Sequence, residues 1–245
     1  MQQTETEALK KACLYSLPPN KLGYCGPEKS WLEFQKFFSE PVEENASASR
    51  SLLEGFDALM PYLKLIAHEN GLQPFDSRVI EAYWLGNSLL ENVSFQAARQ
   101  AILSLQEQGL PKGIAERKAK QLPKGLVPHH SMHVLYINFI SQKVKPLVQN
   151  LSNCLVQWGA VKEPGETVLV KGIELFSQNG ELTLKQKEKE VSNPLGVPLK
   201  KGDTVSIHWN SIVETLSIES LNNLKKYSFS NLEKVNLFLG GKKWT

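Results

Sequence analysis

The chain has 245 residues, 41% of them apolar and 22% charged, with a formal net charge of +3. That is enough apolar material for one large or two small packed domains, and too little charge to argue by itself for nucleic acid or an anionic membrane. No apolar run approaches the roughly 20 residues that a bilayer requires. The polar, acidic start, Met1-Gln2-Gln3-Thr4-Glu5-Thr6-Glu7, lacks the pattern of a secretory leader. A cytoplasmic location is therefore expected. Three widely spaced cysteines, Cys13, Cys25 and Cys154, fit free thiols in a reducing compartment.

Thr6 to Leu14 reads as a short helix that Pro18-Pro19 should end. The loop Asn20 to Pro27 carries Tyr24 and Cys25 between two glycines and a proline, which preclude regular structure. Ser30, with Glu33 three residues on, spells a capping box for a helix from Trp31 to Phe38. Glu40 to Ser49 is polar and reads as a surface loop. Leu52, Leu53, Phe56, Leu59, Met60, Leu63 and Ile66 recur at helical spacing, with a kink expected at Pro61. Val79 to Leu90 and Phe95 to Gln108 follow as apolar helices, the second ended by Gly109 in a left-handed cap. Lys112 to Lys124 is basic without interleaved aromatics, so it reads as a solvated face and not as a nucleic-acid surface. His129 to about Leu151, apolar at Val134, Leu135, Ile137, Phe139 and Ile140, reads as a last long helix.

At Cys154 the period changes. Val168-Leu169-Val170, Leu182-Thr183-Leu184 and Val205-Ser206-Ile207 are short β-type runs, separated by Asn179-Gly180 and Lys201-Gly202. Asn179-Gly180 is a strong two-residue hairpin signal. Ile218 to Tyr227 returns to helix. The expected fold class is α+β: a helical domain over residues 1–151, then a small antiparallel β-barrel over residues 152–245, closed by a C-terminal helix.

Three constellations carry possible chemistry. Cys25 sits on a loop before a helix whose N-terminal dipole would favour a thiolate. Pro128-His129-His130-Ser131-Met132-His133 holds three of the five histidines. In a helix starting at Pro128, His129 and His133 would share a face at the i, i+4 spacing that lets two imidazoles bind one metal, while His130 would point elsewhere. The glutamate of the zinc-protease pattern is missing there. Glu81, beside Tyr83 and Trp84 and close to Asn87, is a carboxylate that aromatic burial would raise in pKa or that would orient a metal-bound histidine.

The third constellation is in the β region. Asn153-Cys154-Leu155-Val156-Gln157-Trp158-Gly159-Ala160-Val161 resembles the start of the small [NiFe]-hydrogenase assembly chaperones of the HypC/HupF type, which begin Met-Cys-Leu-Ala-Ile-Pro-Gly-Lys-Val. Gly202-Asp203-Thr204-Val205-Ser206-Ile207-His208-Trp209 looks like their Gly-Asp-Tyr-Val-Leu-Val-His-Val. The likeness covers residues 153 to 227. It implies a small barrel on which Cys154 and His208 handle an iron–cyanide–carbonyl fragment together with a partner scaffold.

From these residues the leading expectation is a metal-carrying or metallocentre-assembly accessory protein. Cys154 and His208 would be its metal ligands, and His129, His133 and Cys25 an additional metal site. Iron or zinc would be the cofactor, and a scaffold or metalloenzyme precursor the protein partner; neither nucleic acid nor membrane is expected. A second expectation is a cysteine-dependent hydrolase or transferase with Cys25 as nucleophile and His130 or His133 as base, supported by Glu81, Tyr24 and Asn87. A third is an interaction module without chemistry.

Overall fold

Helix α1 (Gln3–Lys21) runs straight through Pro18 and Pro19. The computed structural model describes residues 3–56, 58–139 and 143–240. The two prolines cost α1 two amide donors but none of its acceptors: the Pro18 and Pro19 carbonyls still receive the amides of Leu22 (3.3 Å) and Tyr24 (2.9 Å). Proline at position 19 does release the Tyr15 carbonyl four residues back, and that oxygen becomes part of the site described below.

Helix α2 (Ser30–Ser39) begins after Lys29 in a left-handed conformation, and no side chain of its own caps it. The Ser30 hydroxyl donates to the Pro27 carbonyl (2.7 Å) instead of forming the expected capping box. The cap is supplied from α1: buried Asn20 accepts from the Trp31 amide (2.9 Å). The segment read as a surface loop is largely helix α3 (Glu43–Glu54). Its polar residues Asn45 and Ser49 are buried, because their small side chains let α3 lie close to its neighbours. In α4 (Leu59–Asn70) Pro61 falls in the first turn, where an amide donor has no intrahelical partner anyway. Helix α5 (Ser77–Trp84) stops before Gly86, whose φ of +89° breaks the longer helix expected there. Helix α6 (Phe95–Ser104) and the 3-10 turn Leu105–Gln108 end on Gly109 at φ +93°, the left-handed cap that the sequence predicts. The basic stretch contributes α7 (Lys112–Lys120).

The long helix expected from His129 is broken. One turn, α8 (His130–Met132), widens into a π-turn (His133–Ile137) that ends on Asn138 at φ +59°. Helix α9 (Val148–Cys154) follows; Ile140 lies outside the described residues. Pi-turns and left-handed non-glycine residues are local distortions that packing must hold in place. Here His130 and His133 are both pinned by buried hydrogen bonds, to the Tyr83 and Tyr62 hydroxyls.

Five strands come next: β1 (Gln157–Glu163), β2 (Thr167–Gln178), β3 (Glu181–Ser192), β4 (Thr204–His208) and β5 (Ser211–Thr215). They form a closed sheet in the order β1-β2-β3-β5-β4. An odd number of strands cannot alternate direction all the way round, and the misfit falls at β3 and β5, which meet in parallel at Ser192 and Ser211. The sheet is therefore mixed, which corrects the expectation of an antiparallel one. Its interior is filled by Val161, Val168, Val170, Val191, Val205 and Ile207. Burying each such side chain stabilises by about 1.5–3 kcal/mol.

Two hairpin turns in the sheet have both central residues at positive φ: Asn179-Gly180 (55° and 85°) and Trp209-Asn210 (50° and 57°). The first uses the residues that this turn prefers; the second places a tryptophan where backbone sterics cost about 1–2 kcal/mol.

Helix α10 (Ile218–Leu239) lies outside the sheet and does not plug it. Its buried Leu224, Tyr227 and Val235 join the core shared by the helices and the outer face of the sheet, which includes Trp158, Leu175 and Leu182. Two of its asparagines grip backbone like a strand edge. Asn231 accepts from the Val127 amide (3.1 Å) and donates to the Val127 carbonyl (3.1 Å), and Asn236 does the same to Leu182 (2.9 and 2.8 Å). The helix thus ties the histidine segment to β3. Among the described residues, no helix is long and apolar enough to cross a membrane.

Candidate metal centre

Helices α1, α5, α8 and α9 and the β4–β5 turn converge on a cavity of about 30 Å³. His130, Cys154 and His208 line it, and their ligand atoms all lie within 4.8 Å of one another. All three residues are buried. They come from the first turn of α8, the last residue of α9 and the last residue of β4, so the fold, not local spacing, assembles the group.

Each imidazole is oriented by its other nitrogen. His208 Nδ1 lies 2.7 Å from the Tyr15 carbonyl that Pro19 leaves free, and its Nε2 lies 3.0 Å from the Cys154 carbonyl. A neutral ring has one proton and can serve only one of these two oxygens. His130 Nδ1 lies 3.0 Å from the Tyr83 hydroxyl, and its Nε2 lies 2.8 Å from the same Cys154 carbonyl. Trp84 packs on both rings, with centroids 4.7 Å from His130 and 5.6 Å from His208.

Burial sets the protonation states. It lowers His208 to about 4, although the Tyr15 and Cys154 carbonyls pull the other way. It drives His130 well below the ordinary histidine value, helped by repulsion from His208. Burial also raises the Cys154 thiol, and the charge of Cys25 raises it further. The Trp209 indole N–H, which finds no partner at full hydrogen-bonding geometry, faces that sulfur and offsets part of the rise. The resting site is two neutral imidazoles and a thiol.

Cys154 and His208, paired in the sequence, do meet. Cys25 lines the same cavity, half-buried. His130, expected to point away from any metal, is the histidine that joins them. His129 and His133 do not share a helix face, because His129 precedes the helix as its N-cap and accepts from the Ser131 amide (3.2 Å). His133 lines the cavity, with its nitrogens on the Phe139 carbonyl (2.6 Å) and the Tyr62 hydroxyl (3.3 Å), but it is outside the group whose ligand atoms lie within 4.8 Å of one another. Glu81 does not line the cavity; it receives a long bond from Asn87 (3.4 Å), whose amide also reaches the Arg78 carbonyl. Tyr24 packs against Trp209 with ring centroids 4.7 Å apart and the planes tilted by 53°. Asn20, Tyr15, Trp84 and Trp209 carry no chemical motif; the double proline and the strained Trp-Asn turn are the only traces they leave in the sequence.

The profile of one family matches residues 6–242. The chain belongs to DUF6390, a family of unknown function. That match corrects the resemblance to the hydrogenase chaperones: a single DUF6390 profile spans both the helices and the strands, with no separate chaperone unit at residues 153 to 227. No curated protein and no solved structure matches the DUF6390 chain.

Proposed function

We propose that this is a metal-binding accessory protein that holds one iron- or zinc-class ion on His130, Cys154 and His208. The observation that carries the reading is the convergence of two imidazoles and a thiol, from three distant parts of the chain, within 4.8 Å in a buried cavity. Nitrogen and sulfur donors of this kind suit borderline-soft ions. A four-coordinate zinc with bonds of about 2.0–2.3 Å needs ligands roughly 3.3–3.8 Å apart, so the group would contract by about 1 Å around an ion.

The protonation states favour a metal over a nucleophile. A cysteine nucleophile needs a thiolate–imidazolium pair, and burial here opposes both charges. A cation does the reverse: it accepts neutral imidazoles, displaces the thiol proton and supplies the charge that stabilises the sulfur anion. Cavity size points the same way, since about 30 Å³ suits an ion or one water and leaves no room for an acyl substrate. Around the ligands, the Tyr15 carbonyl and the Tyr83 hydroxyl play the orienting part that outer partners play at metal-bound histidines.

The test is metal analysis of protein purified without oxygen, beside Cys154→Ser and His208→Ala variants. About one iron or zinc per wild-type chain, lost in both variants, is expected. Equal loading of all three proteins, or a wild-type protein that takes up neither metal on titration, overturns the reading.

A further inference from the structure

Resting on that metal-binding reading, we propose that Cys25 is a fourth ligand, a second thiolate that makes the centre a neutral Cys2His2 site for a divalent ion, closed from the solvent side by the loop over residues 22–29. Cys25 lines the cavity with His130, Cys154 and His208, but it is half-buried where they are buried, so it stands at the mouth. The sulfur lies outside the 4.8 Å cluster, so coordination requires the loop to draw it inward.

Charge balance supplies the main argument. A divalent ion on two neutral imidazoles and one thiolate carries a net +1, and an uncompensated charge in an apolar cavity is costly. Among the described residues, no Asp, Glu, Lys or Arg lines the cavity. Among the described lining residues Cys25 carries the second thiol, and its deprotonation on binding would neutralise the centre. Binding then balances as one divalent ion and two thiols giving a neutral dithiolate and two released protons.

The loop holds Cys25 at the mouth of the cavity, a short movement from the group. The Asn20 amide donates to the Cys25 carbonyl (2.9 Å) and the Pro27 carbonyl (2.7 Å). Gly26, at φ +77°, presses so closely on Phe56 that an added Cβ would lie 2.5 Å from the ring. Tyr24 docks on Trp209. An independent sign of an electron-rich occupant is the buried indole N–H of Trp84, which has no partner and belongs to a residue that lines the cavity. Such donors gain most from thiolate sulfur, since hydrogen bonds to charged acceptors are the stronger ones.

Cobalt(II) titration of the full chain at neutral pH separates this proposal from the reading beneath it. Wild-type protein should release about two protons per ion and show a sulfur-to-cobalt charge-transfer band; Cys25→Ser should release about one and keep about half the band, with affinity reduced more than about tenfold. Cys25→Asp, which returns the charge on oxygen, should regain affinity without the band. A variant-free check is alkylation: saturating zinc should slow labelling of Cys25 in the wild-type chain. Identical proton release and band intensity in wild-type and Cys25→Ser proteins, or Cys25 labelling that zinc leaves unchanged, overturns the fourth ligand while the three-residue site stands. A wild-type chain that binds neither cobalt nor zinc removes the site itself.

Discussion

Asn20→Ala tests whether one buried amide organises the mouth of the cavity. Asn20 makes three hydrogen bonds: donations to the Cys25 and Pro27 carbonyls and acceptance from the Trp31 amide, which caps α2 where its own N-cap residue does not. The Pro27 carbonyl keeps the Ser30 hydroxyl at 2.7 Å, so the substitution strands two groups, the Cys25 carbonyl and the Trp31 amide. At about 1–2 kcal/mol for each group stranded, the native state should be destabilised by roughly 2–4 kcal/mol. For a chain of this length that lowers the melting temperature by about 5–10 °C. Calorimetry of metal-free protein reads the stability, and timed alkylation below the transition reads the loop. Cys25 should label faster, while Cys13 and Cys154, both buried, should not. Asn20→Asp keeps the acceptor for Trp31 but loses both donations, and should fall between. A melting temperature within about 1 °C of wild type, with unchanged Cys25 labelling, would refute the role given to Asn20.

Other consequences follow from the same packing. Burial lowers His129 to about 3 and His133 to about 4. The unfolded chain takes protons on these rings near pH 6.5 and the folded chain only near pH 3–4, so stability is full above the unfolded value and drains as pH falls between the two. At pH 5 each ring should cost about 2 kcal/mol, visible in urea melts of metal-free protein as a midpoint that drops steeply from pH 7 to pH 5; a flat midpoint would contradict the buried neutral rings. Asn231→Ala removes the clamp on Val127 and a bond to the Ser131 hydroxyl (3.0 Å), and should cost about 3 kcal/mol by the same melts. A loss no larger than that of an exposed asparagine on α10 would mean that the clamp contributes little. Gly86→Ala combines φ +89° with a Cβ placed 2.1 Å from the Tyr227 ring, and should destabilise by about 3 kcal/mol and loosen α10. Hydrogen exchange along α10 that matches wild type would argue against that coupling.

The sequence carried those parts of the fold that local chemistry decides. Asn179-Gly180 makes its hairpin and Gly109 its left-handed cap, because both depend on a residue tolerating positive φ. Misreadings arise where distant contacts override local preference. Pro18-Pro19 looks like a helix stop, yet only donors are lost there, and one freed acceptor is taken up by His208, 193 positions away. Strand β3 runs through Lys185-Gln186-Lys187-Glu188-Lys189-Glu190, which lacks the apolar alternation of a strand because that stretch is mostly exposed and held by pairing with β2. The histidine segment shows the same limit. Regular helical spacing puts His129 with His133, whereas the N-cap role of His129 and the π-turn after Met132 turn His130 toward Cys154 instead. Cys154 and His208 were legible as a pair; their third member was not, because its direction depends on the Tyr83 hydroxyl and the Cys154 carbonyl, and neither contact is local.

Trp84 and Trp209, two of the five tryptophans, form part of the cavity wall, and this gives the protein an optical readout of its own site. Both rings are buried, a setting that shifts indole emission to short wavelength. An ion or sulfur anion arriving beside them would quench or redden that light. Filling, emptying and metal exchange could then be followed in real time on the unlabelled chain, with the strained Trp-Asn turn serving as its reporter.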